Sequence, residues 1–297
     1  MRLVTFAPTA GAALRVGIVR DGQVIDLVAA AGNPPFDPAD MVSLIAAGAK
    51  ALKWLESVSK KVKKTLPLGK VELAAPIPRP RKNVFCVGWN YVEHFEESKK
   101  SRLHTVEFPA HPTFFSKVPT TVNGPYDPVP PHAEVTAQLD WEVELGVVIG
   151  RGGINIKEAD AYKHVFGYTV INDISAREVQ RRHGGQLFKG KSLDGACPMG
   201  PWIVTADEVP DPHKLRLTSR VNGVTKQDSN TSYMYFKIPR LIVELSAGTT
   251  LEPGDILSTG TPAGVGHART PPEFMKAGDV LESEIVGLGL LRNRIGR

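Results

Sequence analysis

At 297 residues, 42% of them hydrophobic, the chain can hold one large domain, or a small domain beside a large one, around a sizeable core. The net charge of +5 is mild and no run of eighteen apolar residues occurs, which excludes a transmembrane helix and leaves no ground for a nucleic-acid or membrane partner. Two cysteines, Cys86 and Cys197, make no disulfide framework, and the first residues lack the unbroken apolar stretch of a signal peptide, so a cytoplasmic location is expected.

Residues 1–75 read as a small α+β domain. Two β-type runs, 14–19 and 23–27, flank Asp21 and Gly22, a pair that favours a tight hairpin. Asp37 and Pro38 offer an N-cap and first-turn pair for a helix through Ala47, with Gly48 as its stop. A second helical pattern covers about 50–63 and ends in the basic stretch 60–64. With Leu52, Leu55, Val58 and Val62 on the opposite side, that stretch reads as a solvated helix face. The proline-spaced segment 75–81 marks a boundary, and residues 76–297 are expected to form the second domain.

Beyond the boundary, 83–87 has the composition of a buried strand ending at Gly88. A short helical pattern follows, with His94 and Glu97 three residues apart and so on one face. Spacing alone favours an exposed His beside an exposed Glu. The charged stretch 96–104 reads as an excursion, and a short helix in a charged loop beside a site is what a lid needs.

The central stretch 138–180 holds two β-branched runs, 141–149 and 166–171, with a helical pattern over 158–165 between them. Alternation along a strand puts Asp140, Glu142 and Glu144 on one face. The apolar residues that follow carry this strand into a core, where a carboxylate is unfavourable by several kcal/mol unless a cation meets it. Asp173 stands where the second run ends. Hard oxygen ligands converging from strand ends suit Mg²⁺ or Mn²⁺ better than zinc. An E-x-E pair on a strand is more often a solvated face, and a second pair, Glu282 and Glu284, stands in what reads as an exposed C-terminal hairpin.

Residues 185–192 satisfy the P-loop expression G-x-x-x-x-G-K-S. A P-loop joins a strand to a helix, whereas a polar helical segment precedes this stretch and Gly195, Pro198, Gly200 and Pro201 follow it, so a nucleotide site is rejected. What remains is Lys191, a cation in a Gly-rich loop able to meet an anion. The rest is β-rich: a strand at 215–221, a hairpin signal at Asn222 and Gly223, a helix from about Ile238, and a strand at 256–258 running into a Gly-rich turn at 259–266. That turn is either a backbone cradle for a small anion or a plain tight turn.

Taken together, the segments at 83–91, 112–117, 141–150, 167–180, 190–201 and 258–266, in this order, resemble the fumarylacetoacetate hydrolase family. The resemblance implies an α+β, β-rich fold, a mixed β-sandwich roll with a small N-terminal domain, assembled as a homodimer. It implies Mg²⁺ or Mn²⁺ held by Glu142, Glu144 and Asp173, with a small 2-oxo acid as substrate. Lys191 matches the lysine that meets substrate oxygen, while Arg177, Gln180 and Thr261 match substrate-binding positions. His94 and Glu97 match the dyad that activates water in hydrolytic members. Trp89 departs from the family pattern beside that dyad and bears on substrate length. The expected activity is cleavage of a C–C bond in an acylpyruvate-type acid such as fumarylpyruvate, in aromatic-compound breakdown. The alternatives are oxaloacetate decarboxylation, isomerisation of a 2-hydroxyhepta-2,4-diene-1,7-dioate-type acid, or a non-catalytic metal-stabilised binding protein.

Overall fold

The computed structural model describes residues 1–30, 32–98 and 107–296. The chain opens with strands β1 (Arg2–Ala7), β2 (Arg15–Arg20) and β3 (Gln23–Asp26). Asp21 and Gly22 both take positive φ, 50° and 71°, and close the β2–β3 hairpin as their identities predict. Helix α1 (Met41–Lys61) begins later than expected. Asp37 is spent on a preceding turn, accepting from the Ala39 N–H, and Asp40 caps the helix by accepting from the Val42 N–H at 2.8 Å. Gly48, with φ 56°, kinks the helix without ending it. The short strands β4 (Leu66–Pro67) and β5 (Glu72–Ala74) follow.

Next come β6 (Val84–Gly88), α2 (Val92–Glu97), β7 (Thr113–Lys117) and β8 (Val122–Asn123). The lid expected over 94–104 falls partly on residues 99–106, which lie outside the described residues. The single long strand expected from 141 is instead β9 (Leu139–Asp140) and β10 (Val143–Ile149), and the stretch predicted helical before β11 (Val165–Asn172) is a 3₁₀ turn, Glu158–His164. Then follow β12 (Ser175–Ala176), α3 (Arg177–Arg182), α4 (Leu187–Lys191), β13 (Cys197–Thr205), β14 (Arg216–Val221) and β15 (Val224–Asn230). Helix α5 (Ile238–Ser246), β16 (Ile256–Ser258), β17 (Val280–Ile285) and β18 (Gly289–Arg294) complete the chain.

Among the described residues, twelve strands form one mixed sheet whose main path runs β4-β3-β2-β1-β13-β11-β10-β16-β6-β7. A four-stranded antiparallel sheet, β15-β14-β17-β18, packs on one face of it. Alternation along the central strands feeds both faces. Val147 and Val170 join Leu217, Ile285 and Leu291 of the smaller sheet and the buried side of α5, while Val148 and Ile171 join Leu44, Ile45 and Leu55 of α1. The fold is thus α+β and sheet-rich, as expected. The N-terminal strands enter the main sheet through β1, which pairs with β13. The segment satisfying the P-loop expression spans the turn between α3 and α4 with no strand before it, and Lys191 ends a one-turn helix rather than lying in an open loop.

Candidate metal centre and active site

Strand β10 enters the core of the main sheet, and its leading carboxylates are buried with it: Glu142 is 4% exposed, Glu144 1% and Asp173, just past β11, 0%. The backbone locks these positions together. The Asp173 N–H donates to the Glu142 carbonyl at 2.8 Å, and the Asn172 side-chain oxygen accepts from the Glu142 N–H at 3.1 Å. One carboxylate oxygen from each of Glu142, Glu144 and Asp173 lies within 4.8 Å of the others.

Three buried cations surround the triad. Lys191 Nζ donates to Glu142 Oε2 at 2.6 Å and to Asp173 Oδ2 at 2.7 Å. Lys117, with no exposed surface, reaches Asp173 Oδ1 at 2.8 Å and the Ile174 carbonyl at 3.1 Å from the far side. Arg177 donates through Nε to Asp140 Oδ2 at 2.8 Å and through a terminal nitrogen to Glu142 Oε1 at 2.5 Å. Asp140, which strand alternation puts on one face with Glu142 and Glu144, therefore clamps the arginine. The break between β9 and β10 sets it apart, paired with β12.

Four carboxylates thus face three cations, and Glu144 is the one left over. It accepts from the Ser258 hydroxyl at 2.6 Å and the Gly260 N–H at 2.8 Å but forms no ion pair among the described residues. Burial, with Asp173 and Glu142 beside it, pushes its carboxyl up to about 8. Burial acts the same way on Glu142, but Lys191 and Arg177 outweigh it and hold that carboxyl well below the usual range. Surplus negative charge among hard oxygen donors, with no histidine or cysteine in the cluster, fits Mg²⁺ or Mn²⁺.

The triad opens onto a cavity of about 600 Å³ lined by His94, Glu142, Glu144, Arg177, Gln180, Lys191 and Thr261, with Trp89, Phe115 and Leu187 among its other walls. His94 is buried, not exposed as spacing alone favoured, and its Nδ1 lies 2.8 Å from Glu97 Oε1. Gln180 accepts weakly from Arg177 at 3.4 Å, while its buried Nε2 has no hydrogen-bond partner among the described residues, which leaves a donor for a ligand oxygen. The Thr261 hydroxyl donates to the Val143 carbonyl at 3.0 Å and accepts from Gln227 at 2.8 Å. Trp89 has φ 52°, an uncommon conformation for a bulky residue, and stands edge-on to Phe95. Glu282 and Glu284 are not part of the triad and share Arg220.

The Gly-rich turn after β16 gives its N–H groups to protein carboxylates. Gly260 serves Glu144, Gly264 serves Glu97 Oε2 at 2.8 Å, and Gly266 serves Asp140 Oδ1 at 2.6 Å. Gly264, with φ 104°, and Gly266 leave no room for a Cβ, which would fall onto the carbonyls of Lys226 and Glu273 respectively. Sequence reasoning missed Lys117, the clamp role of Asp140, and His267, which bonds Asp140 and also lines the cavity. Lys117 closes the motif quoted at 112–117, while Asp140 stands one place before 141–150 and His267 one place after 258–266, so proximity to those motifs was the signal available.

Comparison with known proteins places these features. Residues 83–296 match the sequence model described as fumarylacetoacetate (FAA) hydrolase C-terminal. Oxaloacetate tautomerase YisK of Bacillus subtilis (strain 168) is 44% identical over 293 residues, covering 95% of this chain and 96% of that protein. A putative HpcE protein from Mycobacterium smegmatis superposes with a TM-score of 0.86 at 37% identity, covering 100% of this chain and 99% of that one. Maleylpyruvate hydrolase from Sphingobium sp. SYK-6, in complex with manganese(II) ion and pyruvate, gives 0.80 at 30% identity with the same coverage.

Proposed function

Since the chain belongs to the fumarylacetoacetate hydrolase family, we propose that it interconverts the keto and enol forms of a small 2-oxo dicarboxylic acid of the oxaloacetate type, using Mg²⁺ or Mn²⁺. The observation that carries this reading is one cavity joining a carboxylate triad short of one positive charge to a buried imidazole fixed by a carboxylate. The 44%-identical oxaloacetate tautomerase favours that reaction over the C–C hydrolysis expected from the motifs.

Glu142, Glu144 and Asp173 would hold the ion. When bound, it supplies positive charge to the oxygen at carbon 2, lowering the energy of the enol-like state. Lys191, ion-paired to Glu142 and Asp173, adds charge at the same place. His94 Nδ1 is committed to Glu97, so Nε2 is the nitrogen that moves a proton at carbon 3. Gln180 Nε2 donates to a substrate oxygen, and Phe115 and Leu187 limit water around the reacting carbons. The chain works on a free small-molecule acid, as a homodimer in the cytoplasm.

A second reading is hydrolysis of an acylpyruvate-type acid, supported by the maleylpyruvate hydrolase neighbour and by the same dyad, which could activate water. Both are tested by one product-resolved assay with Mg²⁺, supplying enol oxaloacetate, fumarylpyruvate and acetylpyruvate to the wild type and to His94→Ala. The proposal expects accelerated ketonisation that falls about 10²–10⁴-fold in the mutant, with oxalate affinity little changed. Cleavage of the acylpyruvates without ketonisation would put hydrolysis in its place.

A further inference from the structure

The cavity carries a second oriented imidazole. His267 follows the Gly-rich turn and lines the same cavity as His94. Its Nδ1 lies 3.1 Å from Asp140 Oδ2, and its backbone N–H donates to that oxygen at 3.0 Å. Asp140 has no exposed surface and also accepts from the N–H groups of Gly266 and Trp141 and from Arg177 Nε. Four N–H donors, one of them on the Arg177 guanidinium, point at its two oxygens, the arrangement of an ionised carboxylate. An ionised carboxylate only accepts, so the Nδ1 facing it carries the proton and Nε2 is left with a lone pair. Burial and the charge of Arg177 also push the imidazole down from its ordinary value, which favours the neutral ring.

His94 is built the same way, with Nδ1 on Glu97. Two imidazoles, one fixed at Nδ1 by Glu97 on its own helix and the other by the sequence-distant Asp140, therefore border one cavity. Keto–enol interconversion needs two proton movements, one at carbon 3 and one at the oxygen on carbon 2. We propose that His267 is a second proton-transferring residue of this site, working at the substrate oxygen while His94 works at carbon 3. The inference rests on the tautomerase reading above. In the enol-to-keto direction the O–H bond breaks, its proton passes to His267 Nε2, and its electron pair forms the C=O. The π pair between carbons 2 and 3 takes a proton from the His94 imidazolium and becomes the new C–H bond. His267 ends protonated and His94 neutral, and water entering the cavity takes the proton from His267 and returns one to His94 before the next turnover.

The test compares wild type, His267→Asn and His267→Ala, each loaded with Mg²⁺ and supplied with enol oxaloacetate. Asparagine keeps an N–H for Asp140 and removes the second nitrogen. It is expected to lower kcat by about 10²-fold or more, with KM and melting temperature near the wild-type values. Added imidazole is expected to restore part of the rate to His267→Ala, which a purely structural histidine would not allow. A wild-type kcat in His267→Asn, or a loss in His267→Ala that imidazole leaves untouched, would overturn the inference and leave the tautomerase reading standing. A wild type that does not accelerate ketonisation would overturn both.

Discussion

A carboxylate buried without a cation of its own either keeps a proton or recruits a metal, and Glu144 is such a group. Its ordinary value is 4.5 and the folded chain raises it to about 8, so the folded state holds the proton more tightly than the unfolded state does. The resulting stability is fully present below 4.5 and lost as pH rises through about 8. Chelator-treated protein should therefore melt at progressively lower temperature across that window, and saturating Mn²⁺ or Mg²⁺ should remove the decline by replacing the proton. Calorimetric melting with and without metal measures this, and identical slopes would mean that the triad binds no ion. Lys117 makes the complementary case. Replacing it with Met leaves the volume nearly unchanged but strips Asp173 of its rear partner in a site with no exposed surface. Urea unfolding in saturating Mg²⁺ is expected to register a loss of about 3–5 kcal/mol, and a change below about 1 kcal/mol would show that Lys191 alone balances Asp173.

At the level of elements, the turn between β16 and β17 organises what the strands only deliver. Gly264→Ala should be damaging twice over, through its left-handed backbone and through a Cβ driven against the Lys226 carbonyl, with the Glu97 contact disturbed as well. Gly223→Ala is the control, since its φ of 77° is also left-handed but its Cβ meets open space. The first should lose activity and more than about 2 kcal/mol of stability, while the second loses about 1 kcal/mol and keeps its rate. The contrast between local and distant information also governs what the sequence discloses. Hairpins at Asp21-Gly22 and Asn222-Gly223, the α5 face and the i, i+2 spacing of Glu142 and Glu144 depend on neighbours in the chain, so periodicity reaches them. The Asp140–His267 bond spans 127 positions and Lys117–Asp173 spans 56, so no local pattern marks either. The start of α1 differs from the expected one for a subtler reason: Asp37 and Asp40 are both good caps, and the turn closed by Asp37 decides between them.

On the scale of the whole molecule, the apolar layer under α1 includes Val148 and Ile171 of the central sheet, so the N-terminal segment and the site-bearing strands share packing. Leu55→Ala is expected to reduce stability by about 2–5 kcal/mol and to shift a single unfolding transition. Trp54 fluorescence and far-ultraviolet dichroism should move together, and two separated transitions would show instead that residues 1–75 melt as an independent unit. The Gly-rich turn has a wider consequence for how such a protein can be altered. One short peptide steadies an acid of the triad, the carboxylate behind His94 and the clamp on Arg177, so these three anchors stand or fall as a block. An engineer who edits the turn to change substrate preference perturbs every anchor at once. Redesign belongs outside the turn, at a side chain such as Leu187, which borders the cavity and holds no carboxylate in place.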